Sequence, residues 1–275
     1  VYRVPVLADY MTGLLDVMAD RGSGSPFKRW LYRAIDRFNI RRVPAFTDTD
    51  AHRQDFAQRL GLSQAQTACM GVVPVGVRQS LMEQRLAPAP DDAFIVQFLG
   101  TYIPFHGVEV ILQAAQRLRD QASIRFELIG SGQTYDAMRE LAAVLALDNV
   151  TFIPGFYGPP ELLEMMSRAS VYLGVFGDSD KTRYVVPSKV YESAALGRAV
   201  ITADAPALHE FFTAGEHLLL VPPGDPDALA DAIAGLASSP ERAAGIGAAG
   251  RAHIESHYLP QHIGAMIRDH LARLM

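Results

Sequence analysis

The stretch FIVQFLGTYIPFHGVEVILQAAQRLRD, residues 94–120, decides the fold. Residues 94–100 form an apolar run of strand length. A turn between Gly100 and Gly107 follows. From Val108 to Asp120 apolar residues recur every three or four positions, which predicts a helix. The same unit returns downstream. IRFELIG (124–130) precedes the helical pattern TYDAMRELAAVLA (134–146), and VTFIP (150–154) precedes PPELLEMMSRA (159–169). VYLGVF (171–176) and AVITA (199–203) are further apolar runs. LLLVPP (218–223) leads into DPDALADAIAGLA (225–237), which opens on an acidic N-cap. Two more helical segments follow Pro240. Continuous apolar strands separated by helices imply a parallel sheet covered on both faces. The prediction is a doubly wound α/β fold, with its ligand site at the carboxyl ends of the strands.

Residues 1–90 carry less. VPVLA (4–8), RRVPAFT (41–47) and ACMGVVPVG (68–76) read as strands, with helices near 27–40 and 49–60. That predicts an incomplete N-terminal α/β remnant over 1–90, a main domain over 91–258 and a C-terminal crossover helix over 259–275. QRLAPAPDD (84–92) has the composition of a linker. The chain begins with Val1 and runs straight into apolar residues, from which a fragment is expected. The formal charge of −5 gives no footprint for nucleic acid, so no nucleic-acid partner is expected. Cys69 is alone, which excludes an internal disulfide and a cysteine-cluster metal site. No segment reads as a membrane span or a signal peptide, which fits a cytoplasmic setting.

Four turns at strand ends hold candidate binding residues. The first, Gly100 to Gly107, offers the Thr101 hydroxyl, His106 and backbone N–H groups to a phosphate or sugar, although taken alone it reads rather as a plain βα turn with a half-exposed histidine. The second, Gly130-Ser131-Gly132, lacks the full dinucleotide fingerprint, since Tyr135 stands where glycine is needed. Phe156, in the third turn GFYG (155–158), could flank a nucleobase or pack under a loop. The fourth is KTRYVVPSKVYE, 181–192. Lys181 and Arg183 lie in a loop before Pro187, and a helix then opens with Ser188, Lys189 and Val190 and carries Glu192 one turn in. Proline pre-sets the first turn, and the helix start directs free N–H groups at an anion. Cations and a carboxylate at this junction suit a diphosphate and the hydroxyls of its ribose. Of three lysines in the chain, two fall in this segment.

Lys28–Arg42, KRWLYRAIDRFNIRR, places Arg29, Arg33, Arg37 and Arg41 on one helix face and Trp30, Leu31, Ala34, Ile35 and Phe38 on another. Contact with an anionic membrane surface and an ordinary solvated helix both fit that pattern. The histidines show no ligand-like pairing, so no metal site is expected, and no G-x-S-x-G elbow is present.

Taken together, FLGTYIPFHGVEVILQAA, ELIGSGQTY, NVTFIPGFYGPPELLEMMSRASVYLGVF, VPSKVYESAALGRAVITADAPALHEFF and LLLVPPGDPDALADAI resemble the donor-binding half of retaining glycosyltransferases of the GT-B fold, family-4 type. The resemblance covers residues 92–275 well and 1–90 in part. It implies a Rossmann-like donor domain in which 100–107 and 181–192 hold the diphosphate and ribose of a nucleotide sugar, with Phe156 by the base. It also implies that VLADYM (6–11) is a late piece of the acceptor domain, with Asp9 facing the cleft. Asp9, His106 and Lys189 are then the candidate catalytic residues. Many relatives carry two glutamates with seven residues between them; the second matches Glu192, while the first falls on Tyr184. Many carry arginine and lysine where this chain has Thr101 and His106. Lys181, Arg183 and Lys189 are expected to replace that charge.

The expected activity is retaining transfer of a sugar from a nucleotide-diphosphate donor, without a metal, to a glycan or lipid-linked acceptor at the inner membrane face. Alternatives are a nucleotide-sugar epimerase or sugar phosphorylase of the same fold, and a donor-binding module that needs a partner chain.

Overall fold

The computed structural model describes residues 6–14, 25–86 and 93–274. Parts of the expected strand at 4–8 and of the expected linker at 84–92 lie outside these residues. The first sheet has three parallel strands, β1 (Ala8–Asp9), β2 (Ala45–Thr47) and β3 (Met70–Val72), side by side in chain order. Around it lie α1 (Pro26–Ile40), α2 (Asp50–Leu60), α3 (Gln64–Ala68) and α4 (Gln79–Met82). The start of α2 is fixed by the Thr49 hydroxyl, which accepts from the His52 amide at 2.8 Å. Its end is fixed by Gly61, which adopts the left-handed conformation at φ 62°.

The second sheet has six strands, all parallel: β4 (Phe94–Leu99), β5 (Ile124–Ile129), β6 (Val150–Ile153), β7 (Val171–Leu173), β8 (Ala199–Ala203) and β9 (Leu219–Val221). Their spatial order is β6-β5-β4-β7-β8-β9. The helices are α5 (Val108–Arg117), α6 (Tyr135–Val144), α7 (Pro159–Ser167), α8 (Asp180–Tyr184), α9 (Ser188–Ala195), α10 (Pro206–His209), α11 (Pro226–Ala237), α12 (Pro240–His257) and α13 (Pro260–Leu274). Alternation along the strands fills two cores. Val96, Phe98, Val171, Leu173 and Ile201 pack beneath α5 and α11, whose Ile111, Leu112, Leu229 and Ile233 are buried with them. Tyr172 and Val200 point the other way, onto Val190 and Tyr191 of α9 and Ile254 of α12. The doubly wound α/β architecture expected from the sequence is the one present.

The chain leaves β4 and β7, which are paired neighbours, toward opposite ends of the sheet, because β5 flanks one and β8 the other. That reversal opens a crevice at their carboxyl ends. At its end, α13 reaches the small sheet. His270 donates from Nε2 to the Ala45 carbonyl at 3.1 Å, and its ring fills the space left by the missing side chain of Gly71.

Three expectations change. The segment holding Lys181 and Arg183 is the short helix α8, not a loop. Pro187 stands before the next helix, at ψ 139°, and not in its first turn, while α9 begins at Ser188 as expected. The regular ladder of VYLGVF ends at Leu173, although the next two residues still bond to β8: the Gly174 amide donates to the Ile201 carbonyl at 2.8 Å and the Val175 carbonyl accepts from the Ala203 amide at 2.9 Å.

Candidate functional site

The floor of the β4–β7 crevice is backbone packed on backbone. Gly107 has φ 62°, and a Cβ there would overlap the Gly177 amide. A Cβ on Gly177 would in turn lie 2.5 Å from the Phe105 carbonyl oxygen. The Phe176 amide donates to the His106 carbonyl at 3.1 Å, which locks the two loops together. No side chain caps α5 or α9, so both helix starts present amides at the carboxyl edge of the sheet.

Lys189 enters this floor from the first turn of α9. Its Nζ lies 4.3 Å from the Phe98 ring centroid, and a Cβ on Gly100 would come within 2.5 Å of it. Gly100 therefore makes room for an ammonium. Nζ is shielded from solvent and has no hydrogen-bond partner among the described residues. Burial pushes its pKa down to about 7, and Glu192, one turn along the same helix, opposes that shift. A buried ammonium without an acceptor is costly, and an incoming anion would supply the missing partner. Glu192 is half-buried; burial raises its pKa, while Arg78 and Lys189 pull it down. Arg78, which precedes α4 in the connection out of the first sheet, is brought near enough by the fold for its charge to act on Glu192, a proximity that is not visible in the sequence.

Residues 93–239, more than half of the chain, match the family described as Glycosyl transferases group 1. The chain belongs to that family. It is 29% identical over 216 residues to the D-inositol 3-phosphate glycosyltransferase of Kribbella flavida, a match covering 72% of this chain and 49% of that protein. It is 25% identical over 247 residues to the MMP alpha-(1->4)-mannosyltransferase of Mycolicibacterium hassiacum, covering 86% and 56%. The chain spans about half the length of the curated relatives it matches. Among solved structures, the Anabaena protein Alr3699/HepE in complex with UDP and glucose superposes with a TM-score of 0.78 at 17% identity, over 98% of this chain and 72% of that one. That likeness shows the GT-B fold.

Within this group 1 glycosyltransferase chain, the residues singled out from the sequence divide by their surroundings. Ser188 is exposed at the open start of α9, Lys181 lies 6.0 Å from the Phe105 ring, and Arg183 and Thr101 are exposed. Phe156 is 84% exposed after β6, available to a planar ligand. Others serve the scaffold. Val190 is a core residue, and its amide is bonded to the Pro187 carbonyl at 2.9 Å. Gly130, at φ 128°, lets the Gly100 carbonyl approach, and the Ser131 carbonyl accepts from the Tyr102 amide at 3.0 Å. Gly132 packs on the Tyr102 backbone, so the Gly-Ser-Gly turn supports the first loop.

His106 also changes role. It is buried, edge-on to Phe98 at 5.6 Å, with Nδ1 bonded to the Thr101 carbonyl. Burial, and then the Lys189 charge, push it down to about 4, so it is neutral at pH 7. With its proton on Nδ1, Nε2 is an acceptor and cannot donate to a phosphate oxygen. His106 therefore holds the loop through Thr101, and Lys189 is the cation buried beside it. Asp9 ends β1 on the other sheet, where its carboxylate accepts from the Met11 amide at 3.1 Å. Burial raises its pKa, with Asp48 adding to the rise. It shares no hydrogen bond or ion pair with Lys189 or His106 among the described residues.

Proposed function

We propose that this chain holds the donor side of a glycosyltransferase that moves a sugar, with retention, from a nucleotide-diphosphate sugar to a glycan or lipid-linked acceptor. The observation that carries the reading is the Lys189 ammonium beneath Gly100, without a hydrogen-bond partner among the described residues and flanked by two uncapped helix starts. Negative charge grows on the departing diphosphate, and a fixed cation with oriented amides favours that charge without reorganising. Lys189 takes the diphosphate, with Lys181 and Arg183 at the rim. Glu192 accepts from the ribose hydroxyls, and Phe156 lies by the base. On this reading these protein cations carry the leaving-group charge without a metal.

The lipid-linked acceptor draws support from α1. Phe27, Trp30, Leu31, Ile35 and Phe38 are exposed at 68%, 64%, 37%, 37% and 53%, while Asp36 and Ile40 are the residues of that helix turned inward. The apolar stripe thus faces outward, bordered by arginines, as on a helix lying on an anionic bilayer surface. No described helix is long and apolar enough to cross a membrane.

Calorimetric titration with UDP, GDP, ADP and TDP tests the donor assignment. At least one is expected to bind, and Glu192→Ala is expected to weaken it by more than about 1 kcal/mol. Unchanged affinity in that variant would remove Glu192 from the ribose.

A further inference from the structure

The two sheets meet at a seam built from the start of α2 on one side and α8 and α10 on the other. Glu210, just after α10, reaches across with both carboxylate oxygens. Oε2 accepts from the Asp50 amide at 2.6 Å and Oε1 from the Ala51 amide at 2.7 Å. A carboxylate from the far side thereby completes the positive end of α2. The Thr49 hydroxyl serves both halves at once. It accepts from His52 N–H within the helix cap and donates to the Tyr184 carbonyl at 2.5 Å.

The Tyr184 ring completes the seam. It stacks on His52 at 4.9 Å and 27°, and the same imidazole stacks on Phe56 at 4.6 Å. His52 is itself held by Asp48 through Nδ1 at 2.6 Å. The Arg59 guanidinium lies 5.0 Å from the Phe56 ring centroid and 5.8 Å from that of Tyr184. Tyr184 closes α8, the helix of Lys181 and Arg183, and three residues later Pro187 directly precedes α9. Fixing Tyr184 therefore holds the end of α8 and the short connection that leads into α9.

We infer that Tyr184 and Glu210 are positioning residues that dock the segment 180–188 onto α2, so that Lys181, Arg183 and the start of α9 are set for the diphosphate only while the two sheets are joined. The phosphate clause rests on the donor assignment above; the docking stands on the contacts alone. Tyr184 occupies a place where many relatives carry a carboxylate, and here an aromatic ring at that place binds the protein to itself.

Hydrogen exchange of the unliganded protein, followed by mass spectrometry, tests the docking, and UDP titration tests its consequence. Glu210→Ala removes a helix cap and is expected to speed exchange roughly five- to tenfold in 180–189 as well as in 50–55. Tyr184→Ala is expected to do the same and to weaken UDP by a similar factor, whereas Tyr184→Phe keeps both within about twofold. If Tyr184→Ala fails to fold, Glu210→Gln, which retains one acceptor oxygen, is expected to give an intermediate effect in both segments. Faster exchange confined to 50–55 would overturn the coupling. Faster exchange in 180–189 with UDP affinity unchanged would overturn the positioning role. Wild-type protein that binds no UDP would count against the donor assignment, and the exchange pattern would still decide the docking.

Discussion

Replacing Lys189 with methionine should make the protein more stable and less able to bind a nucleotide. The ammonium is held without a hydrogen-bond partner among the described residues, and its pKa falls from an ordinary 10.5 to about 7. At about 1.36 kcal/mol per pH unit, that fall corresponds to about 5 kcal/mol of burial cost. Below pH 7 the lysine is charged in both the folded and unfolded chain, so the whole cost is present. Between pH 7 and 10.5 the folded lysine is neutral while the unfolded one remains charged, and the cost shrinks as pH rises. Lys189→Met, similar in length and uncharged, should therefore raise Tm by at least about 5 °C at pH 6, and by clearly less at pH 9. A charge-assisted contact contributes about 1.5–3 kcal/mol, so UDP affinity should fall roughly 10- to 150-fold. Scanning calorimetry at the two pH values and a UDP titration check both halves. A variant with unchanged Tm at pH 6 and unchanged affinity would refute the idea that a strained ammonium waits there for phosphate.

Gly107→Ala should lower Tm by roughly 2–8 °C in a thermal melt, since a left-handed alanine costs about 1–2 kcal/mol before its overlap with the Gly177 amide is added. Wild-type protein should sediment with vesicles containing anionic lipid and not with neutral ones. Trp30→Ala combined with Phe38→Ala should reduce that binding more than tenfold, given about 1.5–3 kcal/mol for each buried aromatic. Equal sedimentation with both vesicle types would separate α1 from any charged surface.

What was legible in the sequence was local. AVITA occupies residues 199–203 as predicted, because an apolar run lies between Gly197, left-handed at φ 77°, and the polar Asp204. The βα units around 94–120 were equally plain, since each has the length that a periodic signal needs. The short helices α8 and α10 were missed because four or five residues cannot show a period of 3.6. The place of Lys189 at a helix start is visible in the sequence, but its burial beneath Gly100 is not. The burial of His106 against Phe98 is equally hidden, because a histidine in a βα turn looks the same in sequence whether it faces solvent or a ring. Arg78 and Glu210 escaped notice for another reason. Each acquires its role from a residue that only the tertiary fold brings near. The helix α1 displayed both its faces in the sequence, but which one turned outward depended on its neighbours.

The bond between His270 and the Ala45 carbonyl links positions separated by 225 residues. On the ribosome β2 and β3 emerge long before the helix that covers them. Through that interval the backbone of β2 and β3 lacks its cover, and the chain around Ala45 and Gly71 is exposed to wrong pairing. The order of synthesis therefore sets an interval in which β2 and β3 are the vulnerable part of the described chain.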